Sequence, residues 1–479
     1  MIKNYLYTAT YQLMVLLTPL LTVPYLSRIL GAKQLGIYSY ISTSSTLVTT
    51  ICLLGLYSYG NRQIAYVRDD SRKCSQVFWE IFSLRILLAF LGGMMYLSYA
   101  FLNPSYYQYF LVYFPYLLAE FLDTSWFFMG IEKMRPAALK NSATKLSSVV
   151  GIFLIVHDAN DLWKYLLLLA LATLLTNLSL YPQLSGYLHR PNIQIVHMSI
   201  HLKASLKLFF PQMAAFVYFQ LDKIMLQWLT GDSASLAYYD QATKIVMIPL
   251  TLVTLISHVT MPRVANAYQK AQKQLVQQLC QTSLTIILAL ALPMSLGLMC
   301  IARQLIPWYL GNGFQPVSLL LYILSPVLLL QALTSLSGNQ YFLATNQLKI
   351  VTLSYCFSAG VNVCLNILLI PNFHEFGAAF ATLFSAFLLL GIQYSEFWQQ
   401  ISVQSCVLAG RRYAFIALVT IIIVYGLTFN LPSSLPTTFK QIIGACLGYG
   451  GCLVVLQDPL FLLLKQYYQK QFKKKLRCD

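Results

Sequence analysis

The sequence predicts an all-α, polytopic membrane protein with about 14 transmembrane helices. Of its 479 residues, 58% are hydrophobic and only 10% are charged, and the mean hydropathy is +0.63. An ordinary soluble domain needs about 25% charged residues to cover its surface. The composition therefore excludes a soluble enzyme, a disordered chain and a nucleic-acid-binding protein.

Apolar runs long enough to cross a bilayer recur along the whole chain. A membrane-spanning helix needs about 20 apolar residues, and it satisfies its own backbone hydrogen bonds in lipid. The first run is too long for the core of a cleaved signal peptide, so we interpret it as a retained span. The predicted spans are 9–29, 37–58, 78–101, 107–129, 143–157, 163–184, 208–229, 237–260, 280–301, 317–336, 350–370, 377–398, 413–431 and 440–464.

The lysine and arginine residues test this assignment, because short cytoplasmic loops carry most of them. With the amino terminus placed in the cytoplasm, 23 of the 32 fall in inner segments and 4 in outer loops. This bias predicts an even number of spans, with both termini on the cytoplasmic side of a bacterial cell membrane. We interpret the basic tail, 465–477, as a contact for anionic membrane lipids and not for nucleic acid.

A short motif recurs at one spacing in the two halves of the chain. Tyr38 precedes Arg62 by 24 residues, and Tyr239 precedes Arg263 by the same number, at an offset of 201. A glycine precedes each tyrosine motif, at Gly31 and Gly231. Such a repeat predicts two lobes of like orientation, related by a parallel pseudo-two-fold axis along the membrane normal.

The repeat divides the chain into three predicted parts. These are an N-terminal six-helix lobe (1–200), a C-terminal six-helix lobe (201–405), and two additional helices with the basic tail (406–479). Two such lobes are expected to enclose a cleft that opens to one side of the membrane at a time. This architecture suits a transporter better than a channel or an intramembrane enzyme.

Ionisable side chains at membrane depth are costly, so each is a candidate functional residue. The candidates for a cavity that attracts an anionic substrate are Arg28, Arg85, Lys145, Lys223 and Lys244. The candidates for ion coupling are Asp222, Asp240, Glu120 and Asp123. For each of them, structural pairing between helices is an equally open interpretation, and Arg28 and Lys145 lie near span ends, from which they can extend to the interface.

Spacing along the helices predicts two local arrangements. Asp240 and Lys244 are four residues apart with the acid first, which favours an ion pair on one face. Glu120 and Asp123 are three apart and share a face. One of these two carboxyls is expected to have a raised pKa unless a cation such as Arg85 or Lys145 lies between them.

The sequence predicts no catalytic residue, no metal site and no cofactor. The ten cysteines include no CxxC pair, and most lie in apolar runs. His197 and His201 are four residues apart and could share a helix face. They belong to a stretch that we interpret as a basic loop without a third ligand nearby, which disfavours metal binding.

Several motifs along the chain form a combination known from one family. They are Pro24–Gly31 with Gly36–Tyr38, Gly60–Ala65, Asp123–Gly130 with Glu132, Leu221–Leu226, and Tyr238–Tyr239 with Ala242 and Lys244–Ile245. Together they resemble the Wzx-type polysaccharide repeat-unit flippases of the multidrug/oligosaccharidyl-lipid/polysaccharide exporter superfamily. The resemblance extends over essentially the whole chain. Ala237 departs from it, because the family often has glycine there, and this concerns helix packing more than function.

The resemblance implies both a substrate and a mechanism. The substrate is an undecaprenyl-pyrophosphate-linked oligosaccharide, moved from the cytoplasmic to the outer face by alternating access. Coupling to an ion gradient is implied, with proton antiport expected, and a polysaccharide polymerase and glycosyltransferases are the implied partners. Arg28, Asp222, Lys223 and Lys244 lie within the matched motifs.

Two other function classes stay open. A multidrug or organic-cation antiporter of the same superfamily would need a cleft with a net negative charge. The candidate side chains at membrane depth instead have a net charge that is close to zero or positive. A membrane glycan polymerase or ligase would need a large outer loop with catalytic groups, and the predicted outer loops are short.

Overall fold

The chain is built from helices throughout the part that the structure describes. The computed structural model describes the backbone of residues 2–189, 195–402 and 404–458, and the side chains of these ranges except at 2–17, 134, 137, 195–197 and 405. These ranges contain helices and no β-strand, so the predicted all-α class is confirmed. The predicted basic tail, 465–477, and the end of the last predicted span lie outside the described residues.

Many of these helices have the length and composition of membrane spans. Within the described ranges, eight helices are long and apolar enough to cross a membrane, or nine if Thr18–Leu53 and Leu56–Val67, which meet at a 46° bend, form one span. The protein is therefore a multi-pass membrane protein. Each predicted span falls on helical chain as far as residue 458, while the total of fourteen crossings remains a prediction.

The chain forms two compact units. Unit 1 comprises Met1–Asp240 and Val363–Glu375, and unit 2 comprises Gln241–Asn362 and Phe376–Asp479. The helices that begin in unit 1 are α1 (Ile2–Leu53), α2 (Leu56–Val67), α3 (Ser71–Phe101), α4 (Tyr107–Leu122), α5 (Ser125–Gly130), α6 (Met134–Ile155), α7 (Leu162–Leu178), α8 (Tyr181–Leu184), α9 (Ile195–Thr230) and α10 (Ser233–Gln269). The others are α11 (Lys273–Tyr309), α12 (Gln315–Ser335), α13 (Leu348–Gln400), α14 (Gln404–Thr428) and α15 (Leu435–Val455). The division into lobes 1–200 and 201–405 stays a prediction.

Breaks in the long helices fall where the sequence predicts connections between spans. Gly31 interrupts α1 with a φ of 72°, and His374 interrupts α13 with a φ of 49°. Gly231, the repeat counterpart of Gly31 to within one residue, has a φ of 67°. Glycine adopts these left-handed conformations without steric cost. The two glycines that precede the repeated tyrosine motifs therefore perform the same conformational task.

Two helices begin well before the spans predicted on them, and both extensions contain polar residues. Helix α6 begins at Met134, nine residues before the predicted span, so Lys140, which precedes that span, is helical. His201 lies within α9 and is buried, not in a basic loop. Polar residues lower the hydropathy of a helix end without ending the helix, so a reading based on apolar runs starts too late.

Aromatic side chains and small residues form the packing core of unit 1. The rings of Phe78 and Trp126 stack with centroids 5.4 Å apart. A Cβ added at Gly60 would lie 2.6 Å from the Trp126 ring, and one at Gly130 would lie 2.7 Å from Ile64. Small residues allow helix backbones to approach closely in membrane proteins. These glycines therefore set the close packing of α2 against α5.

Unit 2 is organised around α11, which packs against α12, α14 and α15. The Ser295 hydroxyl donates to the Ser325 carbonyl at 2.8 Å, and the Tyr449 hydroxyl donates to the Ala289 carbonyl at 2.9 Å. These bonds satisfy polar groups between helices where no water is available.

Candidate functional site

The hairpin of α9 and α10 brings charged residues of the two helices together at about the same distance from its turn. Gly231 turns the chain, and Asp232 starts α10 by accepting a hydrogen bond from the Ser235 hydroxyl at 2.7 Å. Residues 222–223 precede the turn by about as many positions as 239–240 follow it. The two pairs of residues therefore face each other across the hairpin inside unit 1.

Asp222 is buried, with 1% of its surface exposed, and is held by two neutral donors. The Tyr239 hydroxyl donates to its Oδ2 at 2.6 Å, and the Asn366 Nδ2 donates to its Oδ1 at 2.7 Å. Hydrogen bonds to a carboxylate are among the strong ones. Neither of these two donors carries a charge.

Lys223 and Asp240 form a buried ion pair across the hairpin. The Lys223 Nζ lies 2.7 Å from the Asp240 Oδ1, and the two side chains are 14% and 2% exposed. Removal of one partner of a buried pair leaves an uncompensated charge, which is strongly unfavourable. The Asp240–Lys244 pair remains a prediction, and Lys244 is half-buried one turn further along α10, within unit 2.

Arg85 is a residue of α3 whose side chain reaches the last turn of α4 and binds its backbone. The Arg85 Nε donates to the Phe121 carbonyl at 3.1 Å, and its Nη2 donates to the Glu120 carbonyl at 2.7 Å. The last carbonyls of a helix lack partners within the helix and carry partial negative charge. Arg85 is fully buried and supplies both the hydrogen bonds and the compensating charge at this helix end.

Asp123, one of the two carboxylates predicted to share a helix face, is paired with a lysine that was not among the predicted site residues. The Lys140 Nζ lies 2.9 Å from the Asp123 Oδ1 and also donates to the Ser125 hydroxyl at 2.7 Å and the Asn177 Oδ1 at 2.9 Å. Lys140 is 9% exposed. The cation in contact with this carboxylate is thus Lys140. A sequence-based prediction that started α6 at Met134 would have placed Lys140 in a helix and made it a candidate.

Three candidates, Arg28, Glu120 and Lys145, remain to be placed. Arg28 is exposed on α1, three residues before the break at Gly31. Glu120 is half-buried in the last turn of α4 and is hydrogen-bonded to the Tyr116 hydroxyl. Lys145 is half-buried on α6, and no hydrogen bond or ion pair to it occurs among the described residues.

Comparison with known proteins identifies relatives of this chain. Residues 1–268 match the family model described as polysaccharide biosynthesis protein. A putative O-antigen transporter of Escherichia coli strain K12 is 25% identical over 389 residues, 80% of this chain and 92% of that protein. A probable low-salt glycan biosynthesis flippase of Haloferax volcanii is 25% identical over 195 residues, 38% of this chain and 41% of that protein.

Solved structures share the fold. A lipid II flippase, MurJ, in an inward closed conformation superposes with a TM-score of 0.71 at 15% identity, over 96% of this chain and all of that one. An inward-facing multidrug resistance transporter of the MATE family superposes with a TM-score of 0.65 at 14% identity, over 81% of this chain and 95% of that one. At such identities the likeness concerns the fold alone.

The family model covers more than half of the sequence and includes the charged hairpin of α9 and α10. The resemblance that the sequence motifs carry is thereby confirmed. The chain belongs to the polysaccharide biosynthesis protein family.

Proposed function

We propose that the protein is a flippase that moves an undecaprenyl-pyrophosphate-linked oligosaccharide from the cytoplasmic to the outer face of the cell membrane. The observation that carries this proposal is the family match over residues 1–268. The names of the relatives, an O-antigen transporter and a glycan biosynthesis flippase, support the same cargo class.

Basic side chains at membrane depth provide a physical reason for such a cargo. A pyrophosphate headgroup carries negative charge, which must be compensated when it leaves water. In unit 1, Lys145 is without a partner among the described residues, and Lys223 can exchange its carboxylate partner for a phosphate. Flipping breaks no covalent bond, so these side chains bind and orient the headgroup while the polyprenyl tail stays in lipid.

Asp222 is the best candidate for ion coupling, with Asp240 second. Asp222 has neutral hydrogen-bond donors, whereas Asp240 is already neutralised by Lys223. A proton on Asp222 in one state of an alternating-access cycle and its loss in the other would link headgroup export to proton entry. The coupling ion is thus proposed to be a proton moving in antiport.

Location and partners follow from the same proposal. Flipping for polysaccharide assembly would occur in the bacterial cytoplasmic membrane. The excess of lysine and arginine in the predicted inner segments implies that both termini are cytoplasmic. Glycosyltransferases would supply the lipid-linked oligosaccharide, and a polymerase would consume it on the outer side.

Charge reversal separates this function from organic-cation export. Replacement of Lys223 and Lys244 by glutamate is expected to abolish export of the lipid-linked oligosaccharide, because the headgroup then meets added negative charge. Accumulation of unpolymerised cargo in cells, measured beside efflux of a cationic dye, tests this. A double variant that exports the oligosaccharide normally, or that gains dye efflux, would favour the cation antiporter.

A further inference from the structure

An exposed tryptophan near the predicted outer end of unit 1 is bound to the protein by its polar edge. Trp228 lies at the end of the predicted span 208–229 and is 56% exposed. Its Nε1 donates to the Tyr40 hydroxyl at 3.0 Å and to the Tyr99 hydroxyl at 3.1 Å. These two hydroxyls are 2.6 Å apart and share a hydrogen bond. The part of the indole that stays exposed is therefore its hydrocarbon ring.

This orientation differs from the one that anchoring at a membrane interface favours. A tryptophan of the interfacial belt keeps its apolar ring in lipid and its polar tip in contact with water or headgroups. Trp163, at the predicted outer end of α7, fits that role, because it is also exposed and its N–H makes no hydrogen bond within the described residues. In Trp228 the N–H is turned to the protein, so anchoring does not explain its position.

The support of the Trp228 ring comes from two other helices. Tyr40 on α1 is fully buried, and its hydroxyl donates to the Asn103 Oδ1 at 3.0 Å. The Asn103 Nδ2 in turn donates to the carbonyl of Tyr99 on α3 at 2.8 Å. The rings of Tyr99 and Trp228 lie with centroids 6.3 Å apart. A ring that is already fixed loses little conformational freedom when a ligand packs on it, which favours binding.

A hydrogen-bond acceptor without a donor lies next to this ring in the chain. Gln227 precedes Trp228 on α9 and is 4% exposed. Its Nε2 donates to the Tyr106 hydroxyl at 2.9 Å, whereas its Oε1 has no hydrogen-bond partner among the described residues. A buried acceptor that lacks a donor is unfavourable, so a hydroxyl group of a ligand that reached Gln227 would be bound favourably.

The chemistry of this group of side chains matches a sugar ring. Hydroxyl groups project from the edge of a pyranose, and its C–H groups form apolar patches that pack on an aromatic face. A polyprenyl chain has no hydroxyl group to donate, and a pyrophosphate has no apolar face. The group contains aromatic rings, hydroxyls and amides but no charged residue, and its members are Tyr40, Tyr99, Asn103, Tyr106, Gln227 and Trp228.

We propose that Trp228, with Gln227 beside it, is a stacking platform for a sugar of the oligosaccharide headgroup at the predicted outer end of unit 1. This inference rests on the proposed flippase function. It adds a contact with the uncharged part of the headgroup, whereas the lysines at membrane depth act on the pyrophosphate.

Two lipids that differ only in the sugar test the proposal. Undecaprenyl pyrophosphate is compared with undecaprenyl pyrophosphate that carries a disaccharide of N-acetylglucosamine, since every pyranose has C–H groups on its faces. Native mass spectrometry of the purified protein gives the affinity for each lipid. Trp228→Leu is expected to weaken binding of the sugar-bearing lipid about fivefold and to leave binding of the bare lipid unchanged. Trp228→Phe, which keeps an aromatic face, should fall between this variant and the parent.

Trp163→Leu is the matched control and should bind both lipids as the parent protein does. Equal weakening for both lipids in Trp228→Leu, or no weakening for either, would overturn the platform and leave the flippase function standing. Failure of the parent protein to bind either lipid would contradict the flippase function and the platform with it.

A second measurement uses the intact ring and so does not depend on the folding of Trp228→Leu. The parent protein is labelled with fluorotryptophan, and the fluorine NMR signal of Trp228 is identified by its loss in Trp228→Phe. That signal is expected to shift when the sugar-bearing lipid is added and to stay in place with the bare lipid. An equal shift with both lipids, or none with either bound lipid, would overturn the proposal.

Discussion

Asp222 and Lys223 are neighbours in sequence with different partners in space. Consecutive helical residues point about 100° apart, so the two side chains cannot share one partner. Asp222 binds Tyr239 and Asn366, and Lys223 pairs with Asp240. The divergence was predictable from sequence. The identity of Asn366 was not, because it lies 144 positions away.

Asp222→Asn tests the coupling role at this residue. The amide keeps a similar shape and can still hydrogen-bond to Tyr239, but it cannot carry a proton. We expect export of the lipid-linked oligosaccharide in proteoliposomes to fall at least tenfold and to lose its dependence on an imposed pH gradient. Tyr239→Phe, which keeps the carboxylate, is the matched control and should retain that dependence. Unchanged transport and unchanged pH dependence in Asp222→Asn would remove Asp222 from the coupling role.

Lys140→Met tests the ion pair that sequence reasoning missed. The substitution leaves the Asp123 carboxylate without its cation in a buried site, which costs about 3–5 kcal/mol. Addition of Asp123→Asn should recover much of that loss, because no uncompensated charge remains. Thermal unfolding of the purified protein in detergent measures both variants. Equal destabilisation in the single and double variants would show that the pairing contributes little.

Close contacts between helix backbones determine which glycines cannot be replaced by alanine without a loss of stability. A Cβ added at Gly36 would overlap the Ser233 carbonyl oxygen at the start of α10. Backbone cannot move aside as a side-chain end can, so Gly36→Ala should cost about 1–3 kcal/mol by overpacking. Gly360→Ala is the control, since nothing lies within 4 Å of its added Cβ. Thermal unfolding midpoints that fall equally in both variants would contradict this account.

The start of α3 should show a pH-dependent stability. The Asp70 carboxylate caps the helix, and the bond from the Lys73 backbone N–H is the main cause that lowers its pKa below the ordinary value. A lowered pKa in the folded state means that the cap stabilises the protein above about pH 3.9, the unfolded value, and ceases to do so as the pH falls through the folded value.

The measurement compares Asp70→Ala with the parent protein at two pH values. The difference in unfolding midpoint should be present at pH 7 and should shrink toward pH 3. Asp69→Ala, one residue earlier and also exposed, is the control. A difference that is the same at both pH values would mean that the charge of Asp70 is not what stabilises this helix end.

Helix type and approximate position were predictable from sequence, whereas several ends and all tertiary partners were not. The apolar runs predicted where the long helices lie up to residue 458, because a helix that crosses lipid requires such a run. The run-based reading missed the polar first turns of α6 and α9, and with them Lys140 and His201. Those turns are helical because tertiary contacts, such as the bonds of Lys140 to Asn177, satisfy their side chains.

For the whole molecule, the distribution of charge decides function more than the fold does. Solved proteins with this fold include a lipid II flippase and multidrug transporters. Asp123 and Asp240 are each paired with a lysine, and no ion pair to Lys145 occurs among the described residues. A basic lysine in the cavity would favour an anionic headgroup over a cationic drug, as the proposed function requires.

The most direct test is to reconstitute the purified protein in vesicles that contain a fluorescent polyprenyl-pyrophosphate oligosaccharide. A membrane-impermeant quencher reports the fraction of headgroups on the outer face. With a pH gradient imposed, the protein is expected to raise the flipping rate at least tenfold over empty vesicles, and Lys145→Glu should abolish the increase. A rate equal to that of empty vesicles, from protein that remains folded, would contradict the account.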